Sequence, residues 1–166
     1  MTPVRIGILS DTHIAEPNKY FRALVDACFS KVSMIIHAGD LTDIRVLQAF
    51  DGKEIHAVHG NMCRQSSYSA LPQKKVIRVG NFNIGIIHSV GLSYDFEDLL
   101  LNEFDEVDCI VYGHTHMPTC HQAGSVLYIN PGSYGSRGTF AILEVGKKLT
   151  GTLYQVPQLG TKLHSK

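Results

Sequence analysis

The chain has 166 residues, 44% of them hydrophobic and 18% charged, with 15 Lys+Arg balanced by 15 Asp+Glu. That length and apolar share exclude a disordered or fibrous protein and predict one domain over residues 1–157, with 158–166 as a loosely ordered tail. Zero net charge excludes a global field that would hold nucleic acid or an acidic membrane, so no nucleic-acid groove is expected and a small substrate is.

The first apolar run, Val4–Leu9, is too short for the core of a signal peptide, and no stretch approaches the roughly 20 apolar residues of a membrane helix. It reads as a buried strand. Tyr20–Phe29 then carries helical spacing, Met34–His37 a second strand, Ile44–Phe50 a second helix and Ile55–Val58 a third strand. Val76–Val79 and Phe82–Ile87 flank Gly80-Asn81 as a hairpin. Asp95–Phe104 reads as a helix and Cys109–Tyr112 as a buried strand. His121–Gln122 with Val126–Asn130, around Ala123-Gly124, and Phe140–Val145 with Leu149–Val156 close the chain as two further hairpins. Parallel βαβ units followed by antiparallel hairpins predict an α/β fold with a mixed pair of sheets and helices outside. The four cysteines, Cys28, Cys63, Cys109 and Cys120, form no C-x-x-C pair and read as thiols in a reducing cytoplasm.

Residues able to bind metals follow the apolar runs, where open α/β sheets place their ligands. Asp11-Thr12-His13 follows the first strand, Gly39-Asp40 the second, Gly60-Asn61 the third, His88 the hairpin and Gly113-His114-Thr115-His116 the strand after the third helix. In extended chain, residues i and i+2 project to one side, so each D-x-H or H-x-H pair can meet one ion. Carboxylate, amide oxygen and imidazole suit Mn²⁺, Fe or Zn²⁺ better than Ca²⁺, and the lack of cysteine among them argues against a structural zinc cage. Gly39, Gly60 and Gly113 leave room for a sharp turn beside each ligand.

This order of motifs resembles the calcineurin-like metallophosphoesterases, whose pattern is D-x-H, G-D, G-N-H-[DE], a lone His and G-H-x-H. The resemblance spans nearly the whole chain and is closest to the family's small prokaryotic phosphodiesterase branch, which closes with an N-P-G-S segment, here Asn130-Pro131-Gly132-Ser133, and an arginine, here Arg137. It implies the four-layer αββα fold, a mixed two-sheet β-sandwich flanked by helices. It implies one ion on Asp11, His13 and His116, another on Asn61, His88 and His114, and Asp40 bridging them. Two divalent ions follow, Mn²⁺ first with Ni, Fe or Zn as alternatives, and a bridging hydroxide that hydrolyses a small, nucleotide-like phosphodiester. Where many members carry a proton-donating histidine this chain has Met62, within Gly60-Asn61-Met62-Cys63. That loss is compatible with diesters of good leaving groups and argues against alkyl monoesters.

Each residue has a plainer reading. Asp11 and Asp40 each precede a predicted helix and could be N-caps. His37 reads as a satisfied histidine under the site, His56 as a strand residue, and His121 as exposed. His59, directly before Gly60-Asn61, is a candidate for contacting substrate or supplying the missing proton, and Arg137 for holding a phosphate oxygen bidentately. Cys63 is a candidate thiol beside the site, and substrate choice is expected in loops Asn61–Pro72 and Ser89–Tyr94. The alternative to an enzyme is a non-catalytic metal-binding or protein-interaction module on the same fold. It draws on Met62 and on Leu92, Leu99 and Leu101 near one helix, and a retromer subunit of this fold is of that kind. That subunit has also lost ligands that are intact here. A homo-oligomer is compatible with the sequence.

Overall fold

The computed structural model of the chain describes residues 2–91, 93–135 and 138–157, so Leu92, Arg137 and the 158–166 segment lie outside the described residues. Strand β1 (Val4–Leu9) is followed by helix α1 (Lys19–Phe29), β2 (Met34–His37), a 3₁₀ segment (Ile44–Phe50), β3 (Glu54–Ala57) and the short helix α2 (Gln65–Ala70). The hairpin β4 (Lys74–Val79) and β5 (Phe82–Ile87) leads to α3 (Phe96–Asn102), β6 (Cys109–Val111), and the hairpins β7 (Thr119–Ala123) with β8 (Val126–Asn130) and β9 (Thr139–Val145) with β10 (Leu149–Gln155). One five-stranded sheet has the order β10-β9-β1-β2-β3 and the other β4-β5-β6-β8-β7. In the first, β1, β2 and β3 are parallel; in the second, β5, β6 and β8 are.

The apolar runs lack alternation because both of their faces are covered. Ile6, Ile8 and Ile36 meet Ile84, Ile86 and Val111 in a buried cluster between the sheets. Their neighbours Leu9 and Ile35 pack outward on Phe21, Leu24, Val25 and Phe29, the apolar stripe of α1. Ile87, Ile110 and Tyr128 do the same beneath Leu100 and Phe104 on the other side. The layers are therefore helix, sheet, sheet, helix. Phe29 is fully buried, worth roughly 1.5–3 kcal/mol, and lies so close over Gly7 that a Cβ there would come within 2.5 Å of its ring.

Three expectations change. Ile44–Phe50 keeps its predicted bounds but is a 3₁₀ helix, the tighter winding usual for short connectors. Helix α2, Gln-Ser-Ser-Tyr-Ser-Ala, buries only Ser67 and so offers no apolar period to read. The β7–β8 turn is Gly124-Ser125, since Ala123 pairs with Val126. The four cysteines are free, and among the described residues no helix is long and apolar enough to cross a membrane.

Candidate metal centre

The turns after β1, β2, β3, β5 and β6 meet at one end of the sandwich. Among the described residues the non-glycine positions with positive φ are Asp11 (54°), His13 (51°), Asp40 (55°), Thr42 (71°), His114 (70°) and His116 (59°). All but Thr42 are candidate ligands. The left-handed region costs an L-residue about 1–2 kcal/mol, and Asp and His are among the types that enter it most readily. Such strain concentrates at functional sites. The D-x-H and H-x-H pairs thus converge through successive left-handed kinks and not through the alternation of an extended strand. Backbone bonds fix these kinks: Asp11 N–H donates to the Gly39 carbonyl (2.9 Å) and His13 N–H to the Asp40 carbonyl (3.1 Å).

Each aspartate presents one oxygen and ties down the other. Asp11 is fully buried, and its Oδ2 accepts from the Ser10 hydroxyl (2.6 Å) and the His114 N–H (3.2 Å). Its Oδ1 faces ring nitrogens of His116 at 3.2 Å, His13 at 3.7 Å and His88 at 3.9 Å. Asp40 Oδ1 accepts the Met62 N–H (2.6 Å), and Oδ2 lies 3.2 Å from His88 Nε2. The Asn61 amide oxygen is 3.2 Å from both His88 Nε2 and His114 Nδ1. His88 Nδ1–H donates to the Ala38 carbonyl (2.7 Å), which turns Nε2 toward these oxygens and leaves it as the ring atom able to ligate.

Two clusters result. Asp11, His13 and His116 each offer an atom within 4.8 Å of the others, as do Asp40, His88 and His114. Among the described residues, the ion-pair partners of Asp11 and Asp40 are histidines alone. Burying two carboxylates is costly without positive charge. Burial opposes a charge on both Asp40 and His88, yet their mutual hydrogen bond and attraction outweigh it, lowering the aspartate and raising the histidine. Oxygens aimed at one imidazole nitrogen call for a shared proton or a cation between them. Ligand bonds near 2.1 Å put neighbouring donors roughly 3 Å apart, close to the 3.2 Å spacings here. The donor set therefore fits two divalent ions.

His37 lies beneath, its Nδ1 accepting the Gly39 N–H (3.2 Å) and its Nε2 3.1 Å from the Thr12 hydroxyl. Burial, with the His88 charge adding and Asp40 opposing, pushes its pKa from 6.5 down to about 3. Between those values the unfolded chain binds more protons, so stability falls as pH drops from about 6.5, by about 1.4 kcal/mol per unit. Thermal unfolding of the metal-free chain from pH 7 to 4 is expected to show this loss, and His37→Gln to flatten it. An unchanged slope in the variant contradicts the assignment.

Neither aspartate is a helix cap: Asn18 caps α1 (2.8 Å to Phe21 N) and Asp43 caps the 3₁₀ segment (3.0 Å to Arg45 N). His59 stacks on Tyr68 and lines a cavity beside Asn61 and His114. Cys63 is half-buried, its sulfur accepting the Gly60 N–H (3.3 Å), and Met62 is exposed. His56 pairs with Glu54. His121, expected to be exposed, is half-covered, stacking on Tyr128 and pairing with Glu97 at 2.7 Å. Asn130, which carried no ligand signal, braces the site: its Nδ2 donates to the Gly113 carbonyl (3.0 Å) and Thr115 hydroxyl (2.9 Å). Its trace in sequence is the Asn130-Pro131-Gly132-Ser133 segment; in the structure the side chain is fully buried at the end of β8.

The sequence model of a calcineurin-like phosphoesterase superfamily domain matches residues 4–148. A probable metallophosphoesterase of Methanocaldococcus jannaschii is 36% identical over 133 residues, 77% of this chain and 67% of its own length. Among solved structures, Vacuolar Protein Sorting 29 from Cryptosporidium parvum superposes with a TM-score of 0.77 at 18% identity, covering 95% of this chain and 94% of that one. A novel archaeal phosphodiesterase superposes with 0.69 at 22% identity, covering 91% and 100%. These two structures share the fold.

Proposed function

The chain belongs to the calcineurin-like phosphoesterase superfamily, and from that premise we propose that it hydrolyses a small, nucleotide-like phosphodiester at a dinuclear metal centre. The observation carrying this reading is the pair of clusters, Asp11-His13-His116 and Asp40-His88-His114, with each buried carboxylate tied at one oxygen and presenting the other. Asn61, its amide oxygen beside His88 and His114, would join the second cluster in holding an ion, and Asp40 would be shared between the two sites. Two bound divalent ions, Mn²⁺ first with Ni, Fe or Zn as alternatives, would lower the pKa of a water toward about 7 and neutralise charge on phosphoryl oxygens.

The protein's own part is positioning. Ser10, His114 N–H and Met62 N–H hold the carboxylates, the Ala38 carbonyl turns His88, and left-handed turns keep all of them from relaxing. Hydrogen-bonding groups already in place need no reorganisation during reaction. Proton donation to the leaving oxygen has no imidazole at position 62. A thioether cannot donate, which favours diesters with acidic leaving groups. Met62→His is expected to raise activity toward poor leaving groups about tenfold relative to good ones; an unchanged ratio contradicts this role for the position.

The test is hydrolysis of a chromogenic phosphodiester and its matching monoester by metal-stripped protein, with Mn²⁺, Ni²⁺, Zn²⁺ or Mg²⁺ restored in turn. Metal-dependent turnover favouring the diester is expected. No turnover with any ion, despite tight metal binding, overturns the enzyme in favour of a non-catalytic module.

A further inference from the structure

The chain between β3 and β4 makes a closed excursion over residues 59–72. His59 N–H donates to the Pro72 carbonyl at its neck (3.0 Å), and Arg64 N–H donates to the Thr42 carbonyl (2.7 Å). The buried Ser67 hydroxyl accepts the Ile44 N–H (2.7 Å). Asn61 at the start of this excursion and Tyr68 in α2 are therefore held as one anchored unit.

The Tyr68 ring stacks on the His59 imidazole, with centroids 3.9 Å apart and planes 30° from parallel. Tyr68 nevertheless remains 52% exposed. The core does not account for it, since α2 buries only Ser67. Both rings line a cavity of about 340 Å³ together with Asn61, Gln73, Ser89 and His114, a size that suits a small organic ligand. Among the described residues that lining contains no lysine or arginine. The space next to the metal ligands is thus shaped for a flat, uncharged group and not for a second phosphate. An aromatic face fixed by a neighbouring ring loses little entropy when another ring settles on it.

We infer that the Tyr68–His59 stack is the platform for an aromatic or nucleobase substituent of the phosphodiester, making Tyr68 a specificity-determining residue. The inference rests on the phosphodiesterase reading above. A phosphoryl group bound between the two clusters extends one ester substituent over Asn61 and His114 into the cavity, where its ring lies on Tyr68. Gln73 and Ser89, which line the same cavity, offer an amide and a hydroxyl to the edge of a base. Stacking of this kind tolerates any flat ring.

Phenylphosphonate and methylphosphonate share a non-hydrolysable headgroup and differ in the ring alone. Calorimetric titration of each into the Mn²⁺-loaded full chain is expected to give about tenfold tighter binding of the phenyl compound. Tyr68→Ala removes that preference and leaves methylphosphonate affinity within about twofold, whereas Tyr68→Phe retains the preference. Methylphosphonate binding without a phenyl preference in the unaltered chain overturns the platform and leaves the phosphoryl site standing. So does a preference that survives Tyr68→Ala, or equal loss of both ligands in that variant. Failure of both phosphonates to bind overturns the phosphoryl site, and the platform with it.

Discussion

Asp40→Ala is expected to abolish phosphodiester turnover and to weaken metal binding at both clusters. Asp40 is buried beside His88, with Oδ2 3.2 Å from Nε2 and Oδ1 accepting the Met62 N–H at 2.6 Å. Removing the carboxylate deletes the proposed bridging ligand, strips His88 of its counter-charge and leaves the Met62 N–H without its acceptor. Loss of a group that merely orients a metal ligand costs about 10- to 100-fold, so losing the bridge costs more than about 100-fold in kcat. The measurement pairs kcat with Mn²⁺ affinity for the variant and the unaltered chain. Near-normal activity contradicts the bridging role. Asp40→Asn separates charge from shape: it keeps an oxygen in place, and on this account it recovers little activity.

Gly60→Ala is expected to have the next largest effect, although residue 60 contributes no side chain. A Cβ at Gly60 would collide with Asp40 Oδ1 and come within 2.6 Å of the Asp40 backbone nitrogen and 2.8 Å of Cγ. Backbone cannot swing aside as a flexible side chain can. The methyl group therefore displaces the Asp40 carboxylate, or the turn that carries Asn61, by a substantial fraction of an ångström. Misplacement on the order of 1 Å costs about 100-fold in rate, and overpacking a tight site costs about 1–3 kcal/mol of stability. Gly146→Ala is the control. A Cβ there meets only Pro3, at an ordinary 3.4 Å, and near-native activity and melting temperature are expected. Full activity in Gly60→Ala would contradict the close approach on which the site is built.

Much of this site was legible because ligand chemistry restricts residue type. Aspartate and histidine at the ends of apolar runs have few other reasons to recur, and the runs themselves stood out because β1, β2 and β6 are covered on both faces. Backbone conformation was not legible. Residue type permits the left-handed turns at Asp11, His13, Asp40, His114 and His116 without specifying them, so the i and i+2 pairs converge through kinks where the sequence predicts an extended chain. Tyr68 falls within the Asn61–Pro72 loop expected to govern substrate choice, but nothing in the sequence singles it out there. It sits on a serine-rich turn of helix whose hold on the fold is the buried Ser67 hydroxyl, and no apolar period marks such a helix. His37 lies beneath the site as its sequence position predicts, while its partners and those of Asn130 are hydrogen bonds to neighbouring turns, contacts that exist only after the sheets have assembled. The arginine expected to hold phosphate, Arg137, lies outside the described residues.

The central claim is that the chain holds two ions and needs both. Its most direct test is stepwise addition of Mn²⁺ to the metal-stripped chain, following bound ion per chain and diester turnover in the same samples. The account predicts that activity rises to its plateau only as the second equivalent binds. Saturation of turnover at one equivalent, or turnover unchanged by removing the metal, would contradict it.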